Sequence, residues 1–457
     1  MRSRAAFGGL GVVGSVLVAA LGAACSSGAS PGGFSTPGGS SSGGSGSGGG
    51  GGSSSSSSGS SSGTVGTFGG GDGGTTSGGT SSCHVTNQNG DMDSDGWTPA
   101  QGDCNDCDPN VNPGAIDVLS TPDGGTPTWG DEDCDGTPGD SAQPCDTGLM
   151  LADVDPNDGA KAIELCRQAT ATDRKYGVLS AAYVRADGTA FPTASLQVGI
   201  QSAFGTSVHV QGGQNLLALS SGYARTVGQP NACNGISCQT NATGTPPAGF
   251  PQDDPACPPT KAIADDIALE LKIRVPSNAT GYAFNFKFYS FEFPDWVCDT
   301  SGYNDQFVAL VSPPPMGSWP SGSTTFGNIS FDSNNHPVSV NMGFFDVCDP
   351  STPQRFASHC ISSGATCPPV PSPYCPLGLG ELAGTGFDVW HASVGPAGAT
   401  RWLQTQAPAQ PASEITIRFA MWDAGNAEYD STVLIDNFRW LATPGVTVVT
   451  QPQPGAQ

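Results

Sequence analysis

The sequence predicts a mostly β protein: a jelly-roll-like β-sandwich in its C-terminal part, preceded by a small loop module held by disulfides and metal, and before that a disordered Ser/Gly linker. Three observations predict it. Glycine (66) and proline (38) are abundant and charged residues make up only 12% of the 457, which disfavours a helical chain and favours strands and turns. From about residue 176 onward, short stretches alternate apolar and polar residues or are wholly apolar, and Gly, Pro, Asn and Asp separate them. Residues 83–158, by contrast, hold 17 Asp/Glu and no Lys/Arg, against 22 and 14 in residues 159–457.

Residues 1–25 have the form of an export signal. Arg2 and Arg4 make a short basic region, Ala5 to Leu21 an apolar one, and small residues lead to a Cys in "LGAAC", Leu21 to Cys25. This end resembles a bacterial lipobox, which implies that Cys25 is lipidated and anchors the chain in a membrane. It departs from that pattern in having Gly22 where Leu is usual, and a plain secretory signal cleaved near Ala24 is the other reading. No further apolar run approaches the ~18–20 residues of a membrane span, so the expected membrane contact is the lipid alone. Setting Cys25 aside, the 15 cysteines leave an even number, as an oxidised, exported chain with seven disulfides requires. Local pairings expected are Cys233 with Cys238 or Cys257, and pairs within Cys360, Cys367 and Cys375. The net charge of −24 and the lack of basic clusters disfavour a nucleic-acid partner.

Residues 26–82 are almost wholly Ser, Gly and Thr, a composition that buries no apolar surface and behaves as a flexible tether with a reach on the order of 40 Å. Residues 83–158 have too few apolar residues for a core and need disulfides, metal or both. In "DPNDGAKAIELCRQA", Asp155, Asn157 or Asp158 would cap one short helix with Ala162, Ile163 and Cys166 as its apolar stripe. Asp153, Asp155, Asn157 and Glu164 also have spacings reminiscent of a calcium loop, but the helix consumes the same residues. Beyond it the expected strands include "SVHVQ", "IALELKIRV", "AFNFKFYSFEF", "QFVALVS", "VSVNMGFF", "ITIRFAMW" and "TVLIDNFRW". Alternation places Phe284, Phe286 and Phe288 on one face, with Phe291 out of step before Phe293. Many short strands with one helix argue for a sandwich over residues 159–443. Residues 444–457 are expected to be a disordered tail.

The acidic segment opens with "DMDSDGWTPAQGD". Asp91, Asp93 and Asp95 stand at positions 1, 3 and 5 of a D-x-D-x-D-G loop, with Gly96 where the chain must turn and Trp97 able to offer its carbonyl. A hard cation wants six to eight oxygens at about 2.3–2.6 Å. Position 12 is Gly102, not an acid, and no helices flank the loop, so an EF-hand is disfavoured. A compact calcium loop closed by Asp103, Asp106 or Asp108 fits better. "GDEDCDG" then repeats the pattern with Asp131, Asp133, Asp135 and Gly136. The run from Asn89 to Gly136 resembles a metal-binding repeat of exported bacterial proteins, similar in style to thrombospondin type-3 calcium repeats and also associated with copper. Cys107 and the "LSTPDGGTPTW" insertion depart from it. Copper prefers His, Met or thiolate, and this segment offers His84 and Met92 beside cysteines expected to be oxidised. The expected cofactor is therefore calcium. A solvated acidic spacer that binds no ion is the alternative.

Further along, "GVLSAAYVRADGT", "VHVQGGQNLLALSSGYAR", "FNFKFYSFEFPDWVCDTSGYNDQFVAL", "GTGFDVW", "GATRWLQTQAP" and "ITIRFAMWDAGNAEYDSTVLIDNFRW" resemble the choice-of-anchor L domain. That resemblance implies an extracellular β-domain joined to the cell by an anchor, and no particular reaction. Acids amid apolar strands suggest a second ion held by Glu292, Asn304, Asp305, Asp430 and Asp436; turn residues or exposed strand faces would account for them equally. Five scattered His (84, 209, 336, 359, 391) and the absence of zinc, P-loop or nucleophile-elbow motifs argue against an enzyme. Paired carboxylates among Glu292, Glu381 and Glu428 would be the route to a glycan hydrolase. Trp296, Trp390, Trp402 and Trp422 could stack on sugars, although core packing is the commoner use of Trp. The expected function is binding, adhesion or display at a cell surface, with a polysaccharide or cell-surface protein as ligand. The alternatives are a secreted glycan hydrolase and a purely structural metal-binding envelope protein.

Overall fold

A computed structural model describes residues 85–453, apart from 122–124, 141–142, 192–195, 239–241, 254, 256, 300, 342–343, 352–374, 390–394 and 426. The export signal with Cys25, the Ser/Gly linker, Cys360, Cys367, Trp390 and His391 fall outside these residues. Walking along the chain, the acidic segment contributes only the two-residue strands β1 (Leu119–Ser120) and β2 (Thr128–Trp129), paired antiparallel. Helix α1 (Pro156–Lys161) follows. Asp155 caps it, accepting from the Asn157 N–H at 2.9 Å, with Pro156 at the first position, where its missing N–H costs nothing. The helix ends earlier than its apolar stripe predicts, because Glu164 turns left-handed (φ 67°).

The strands of the sandwich are β3 (Gly177–Val184), β4 (Val198–Gln201), β5 (Ala203–Phe204), β6 (Val208–His209), β7 (Leu216–Ser220), β8 (Ile263–Arg274), β9 (Gly281–Ser290), β10 (Gln306–Ser312), β11 (Gly327–Asn328), β12 (Val338–Ser339), β13 (Phe345–Val347), β14 (Gly398–Thr400), β15 (Leu403–Pro408), β16 (Glu414–Ala424), β17 (Ser431–Leu441) and β18 (Val449–Pro452). One sheet has the order β11-β10-β16-β8-β3 with β12 also on β10. The other runs β13-β14-β9-β17-β7-β4, with β15 and then β18 extending from β9, while β5 and β6 pair with each other in a separate two-stranded sheet. Every pairing between these strands is antiparallel.

Between the sheets, Phe284, Phe286 and Phe288 of β9 meet Phe307, Phe419 and Ile435, all fully buried. Edge-to-face and tilted ring contacts knit this layer, Phe284 to Phe419 at 4.9 Å and Phe286 to Phe307 at 5.0 Å. The outer faces are covered as well. Tyr289 and Leu434 pack with Phe204, Phe387 and Trp402 on one, while Val308, Ala420 and Trp422 pack with Phe250 on the other. Covering both faces is why β9 is buried along its whole length, the alternate positions Asn285 and Lys287 included. Phe291, out of step with the strand, serves the outer layer and stacks on Phe387 at 4.5 Å.

Two expectations give way. Residues 449–452, assigned to a disordered tail, form β18, because Val449 to Pro452 find an open ladder along β15. Cys375 pairs with Cys348 rather than with Cys360 or Cys367. The other described bridges are Cys104–Cys134, Cys145–Cys166, Cys233–Cys238 and Cys257–Cys298, and Cys107 is disulfide-bonded too. The acidic segment is docked on the sandwich within one compact unit, Thr80–Gln457. Ser277 N–H donates to the Gly114 carbonyl at 2.9 Å, and Asn278 exchanges two hydrogen bonds with the Ile116 backbone. The Arg174 guanidinium lies 4.2 Å over the Trp97 ring and donates to the Gly96 carbonyl.

Candidate metal centre

The two D-x-D-x-D-G loops are wired alike. In the first, Asp91 accepts from the N–H groups of Ser94 (2.7 Å) and Gly96 (2.9 Å), Asp93 from Asp95 (3.2 Å) and Asp95 from Trp97 (2.6 Å). In the second, Asp131 accepts from Asp135 and Gly136, both at 3.1 Å, Asp133 from Asp135 (3.3 Å) and Asp135 from Thr137 (2.8 Å). Short Asp side chains bonding to backbone two residues on are what make such a loop curl. Gly96 (φ 92°) and Gly136 (φ 88°) supply the left-handed turn that closes each curl.

In and beside the first loop, Asp91 spends both oxygens on backbone N–H groups, whereas Asp93, Asp95 and Asp103 spend only Oδ1. The other oxygens, Oδ2 of Asp93, Asp95 and Asp103, are buried and meet no hydrogen-bond donor. One carboxylate oxygen from each of Asp93, Asp103 and Asp106 falls within 4.8 Å of the others, as do those of Asp91, Asp93 and Asp95. Asp103 and Asp106 are themselves buried, and the Met92 N–H donates to Asp106 at 2.8 Å. Burial pushes Asp93 up to about 6, and the charges of Asp95, Asp103 and Asp91 push the same way. Asp95 and Asp103 are raised for the same reasons, burial first. Buried carboxylates with inward-facing, donorless oxygens are an arrangement that a hard cation satisfies and water-filled loops do not need.

The second loop gathers Asp131, Asp133 and Asp135, and separately Asp117, Asp133 and Asp140, each set within 4.8 Å. Burial and then the neighbouring Asp135 carboxylate raise Asp140 to about 6. Here Arg167 pairs with Asp133 at 3.2 Å, whereas at the first loop Arg174 donates to the Gly96 carbonyl rather than to a carboxylate. Cys104–Cys134 ties the two loops together directly beside Asp103 and Asp133.

Of the residues named from sequence, Asp91, Asp93, Asp95, Asp103, Asp106, Asp131, Asp133 and Asp135 fall in these clusters. Asp108 does not: its carboxylate accepts from Asn110 and shapes its own turn. Trp97 contributes its ring to Arg174 and its N–H to Asp95. Asp117 and Asp140 were missed. Asp140 follows the second loop at a different interval from that between Asp91 and Asp103, so only the presence of an acid after each loop, not its spacing, pointed to it.

The second proposed set divides. Glu292, Asn304, Asp305 and Asp430 lie at strand ends that meet at one end of the sandwich, whereas Asp436 is held elsewhere by the N–H groups of Gln211 (2.5 Å) and Asn437 (2.6 Å). Glu292 accepts from Asp305 N–H at 3.2 Å, and Asp305 accepts from Ala424 N–H (2.9 Å) and the Ser431 hydroxyl (2.5 Å). Asp423, which sequence reading missed, joins them with both oxygens buried and donorless. Burial first, then mutual repulsion, drives Glu292, Asp305 and Asp423 well above the usual carboxylate range. Asp430 is buried nearby, close enough for its charge to push Asp423 up further, and accepts from Cys238 N–H at 2.8 Å. Cys233 and Cys238 beside it are joined in a disulfide and offer no thiolate.

Of the residues considered for hydrolysis, Glu381 pairs with the fully buried Lys287, Glu292 is sealed from solvent and Glu428 is exposed. Trp402 and Trp422 are core residues rather than a sugar platform. No family model matches the chain, and neither the curated proteins nor the solved structures contain a detectable relative.

Proposed function

We propose that this chain is an exported surface protein of the binding or display type, anchored through a lipid on Cys25 and organised in its acidic segment by calcium. The observation that carries the calcium reading is the set of donorless, buried Oδ2 atoms of Asp93, Asp95 and Asp103 beside Asp91 and Asp106. An all-oxygen, carboxylate-rich set suits calcium over copper or zinc. The ion neutralises acids that otherwise repel, and the segment has almost no core of its own to hold it. The role is thus structural: a loaded segment is a firm platform beside the sandwich, and the Ser/Gly stretch carries both away from the membrane. A polysaccharide or cell-surface protein is the ligand class for the sandwich. No helix among the described residues is long and apolar enough to cross a membrane.

Calorimetric titration of the oxidised, chelator-stripped full chain with calcium tests this. Saturable binding is expected, with one ion lost in Asp93→Asn. An absence of saturable heat with calcium, manganese or copper would mean that the aspartates are a solvated spacer.

A further inference from the structure

The "LSTPDGGTPTW" stretch, residues 119–129, begins with β1 and ends with β2, and these two strands stand opposite the last residues of β17. Between them lies a cleft of about 390 Å³, lined by Leu119 and Trp129 on one side and by Asn437, Arg439 and Trp440 on the other. Small-ligand sites usually measure about 300–1,000 Å³. Leu119 and Trp129 are cross-strand partners, 50% and 42% exposed, so both keep apolar surface uncovered. The Trp129 ring is nevertheless held in place: it lies against Gly139, where a Cβ would stand 2.7 Å from Trp129 Cγ. Trp440 is half-buried and set edge-on to Phe438 at 5.2 Å.

A bulge places Arg439. In the first part of β17 the odd-numbered residues face the space between the sheets, where Val433 and Ile435 are fully buried. The pairing with β9 then slips between Asp436 and Arg439, and Asn437 turns left-handed (φ 53°). Beyond the slip Phe438 faces inward instead, so Arg439 is kept out of the core and lines the cleft. Its side chain has no hydrogen bond, ion pair or ring contact with any described residue. The other described arginines all have partners: five pair with carboxylates, and Arg174 and Arg225 donate to backbone carbonyls. Burial lowers Arg439 from its ordinary value, and no neighbouring carboxylate offsets that. A half-buried guanidinium with five donors and no acceptor suits an anion.

Two acids border the cleft without supplying one. Asp117 accepts from the N–H groups of Glu132 (3.1 Å) and Gly139 (2.6 Å). Burial, then the Asp436 charge, push Glu164 up to about 9, so at neutral pH it is uncharged and does not repel an anionic ligand.

We propose that this cleft binds a uronate residue of an acidic glycan, with the Arg439 guanidinium on the sugar carboxylate and the Trp129 and Trp440 rings on the apolar face of the sugar. The site depends on the polysaccharide ligand proposed above and places it where the acidic segment meets the sandwich. A phosphate or sulfate ion would leave both indoles and Leu119 without a contact, and a neutral sugar would leave Arg439 without a counter-charge.

Calorimetric titration of the oxidised full chain with short oligomers of galacturonate, glucuronate and mannuronate tests this, each beside its methyl ester, with neutral glucan and mannan oligomers as a further arm. One acidic oligomer is expected to bind saturably, about tenfold or more tighter than its ester. Arg439→Gln and Trp129→Ala should each weaken it by about tenfold or more, and Arg439→Gln should keep the parent's Tm, since its guanidinium has no partner to lose. On the unmodified chain the same oligomer should shield Arg439 from phenylglyoxal, read by mass spectrometry, which depends on no variant folding. Acidic-oligomer binding that is equal in both variants and leaves Arg439 reactive would overturn the cleft and leave the polysaccharide reading standing. A preference for a neutral oligomer or an ester would do the same. No saturable binding of any oligomer would overturn the site and the polysaccharide reading together.

Discussion

The acidic segment and the sandwich both bury carboxylates, and they hold them by opposite means. In the segment, acids are the framework: each curl is built by Asp oxygens on backbone N–H groups, and the oxygens left over face inward. In the sandwich, acids such as Asp305 and Asp423 are guests in an apolar structure whose layers of Phe, Ile and Leu exist without them. The difference teaches that the same residue type is structural where little else is present, and a tolerated cost where a core is large. It also says that the two regions respond to different reagents.

The sharpest division should come from the core. Phe286→Ala removes a fully buried ring between the sheets, and a loss of about 3–5 kcal/mol is expected. Urea unfolding in calcium and in chelator should show the same loss, because the ring faces no candidate ion site; a loss seen only in calcium would break the comparison. Next is the pH response of a guest acid. Burial raises Asp430 from an ordinary value near 3.8 to about 7, so the fold favours its protonated form. Relative to Asp430→Asn, the parent should lose stability as pH rises from about 4 to about 7, by on the order of 4 kcal/mol, and level off above. A parent that gains stability over that window would show that Asp430 is ionised in the fold.

Chelation acts on the framework acids. Removing calcium present at about a hundred times its Kd should cost about 2.7 kcal/mol. In exchange measurements, protection of residues 91–106 should fall while that of β9 and β16 persists. Equal loss in both regions would mean that segment and sandwich unfold as one. The smallest effect belongs to the surface: exposed Glu414 links exposed Lys272 (2.7 Å) and the buried Arg274 (2.8 Å), whose guanidinium keeps the Thr170 and Asp173 carbonyls as partners, and Glu414→Ala should change stability by less than about 1 kcal/mol, less still in high salt.

The strands that could be read in advance are those whose side chains report burial. "QFVALVS" is β10 to the residue, and β9 and β16 appear where apolar runs were longest. "VSVNMGFF" was read as one strand but forms only β12 and the start of β13, because apolar character alone does not ensure a partner ladder. β18 went unread because four residues beside Pro carry little pattern, and the open edge of β15 that recruits them is a tertiary fact. The curls of the acidic segment were legible through local spacing, since Asp91 to Gly96 need only one another. Asp117, Asp140 and Asp423 were not, because chain folding brings them to their neighbours. Asp423 is hidden further by its place beside Trp422, where the β8–β16 register slips.

The cross-links and the sheets differ in reach. Among the described disulfides the longest spans 41 residues, Cys257 to Cys298, and the shortest only 5. The central ladder joins Phe286 to Ile435, and β7 at Leu217 meets that same Ile435. Oxidation can therefore fasten loops early, while the sheets wait for encounters between segments far apart in the chain, the slow class of folding events. Until β17 arrives, β9 has a row of phenylalanines, Phe284, Phe286 and Phe288, beside a vacant edge, a state prone to self-association. Recovering this protein from denaturant should consequently depend on dilution more than on the choice of redox buffer.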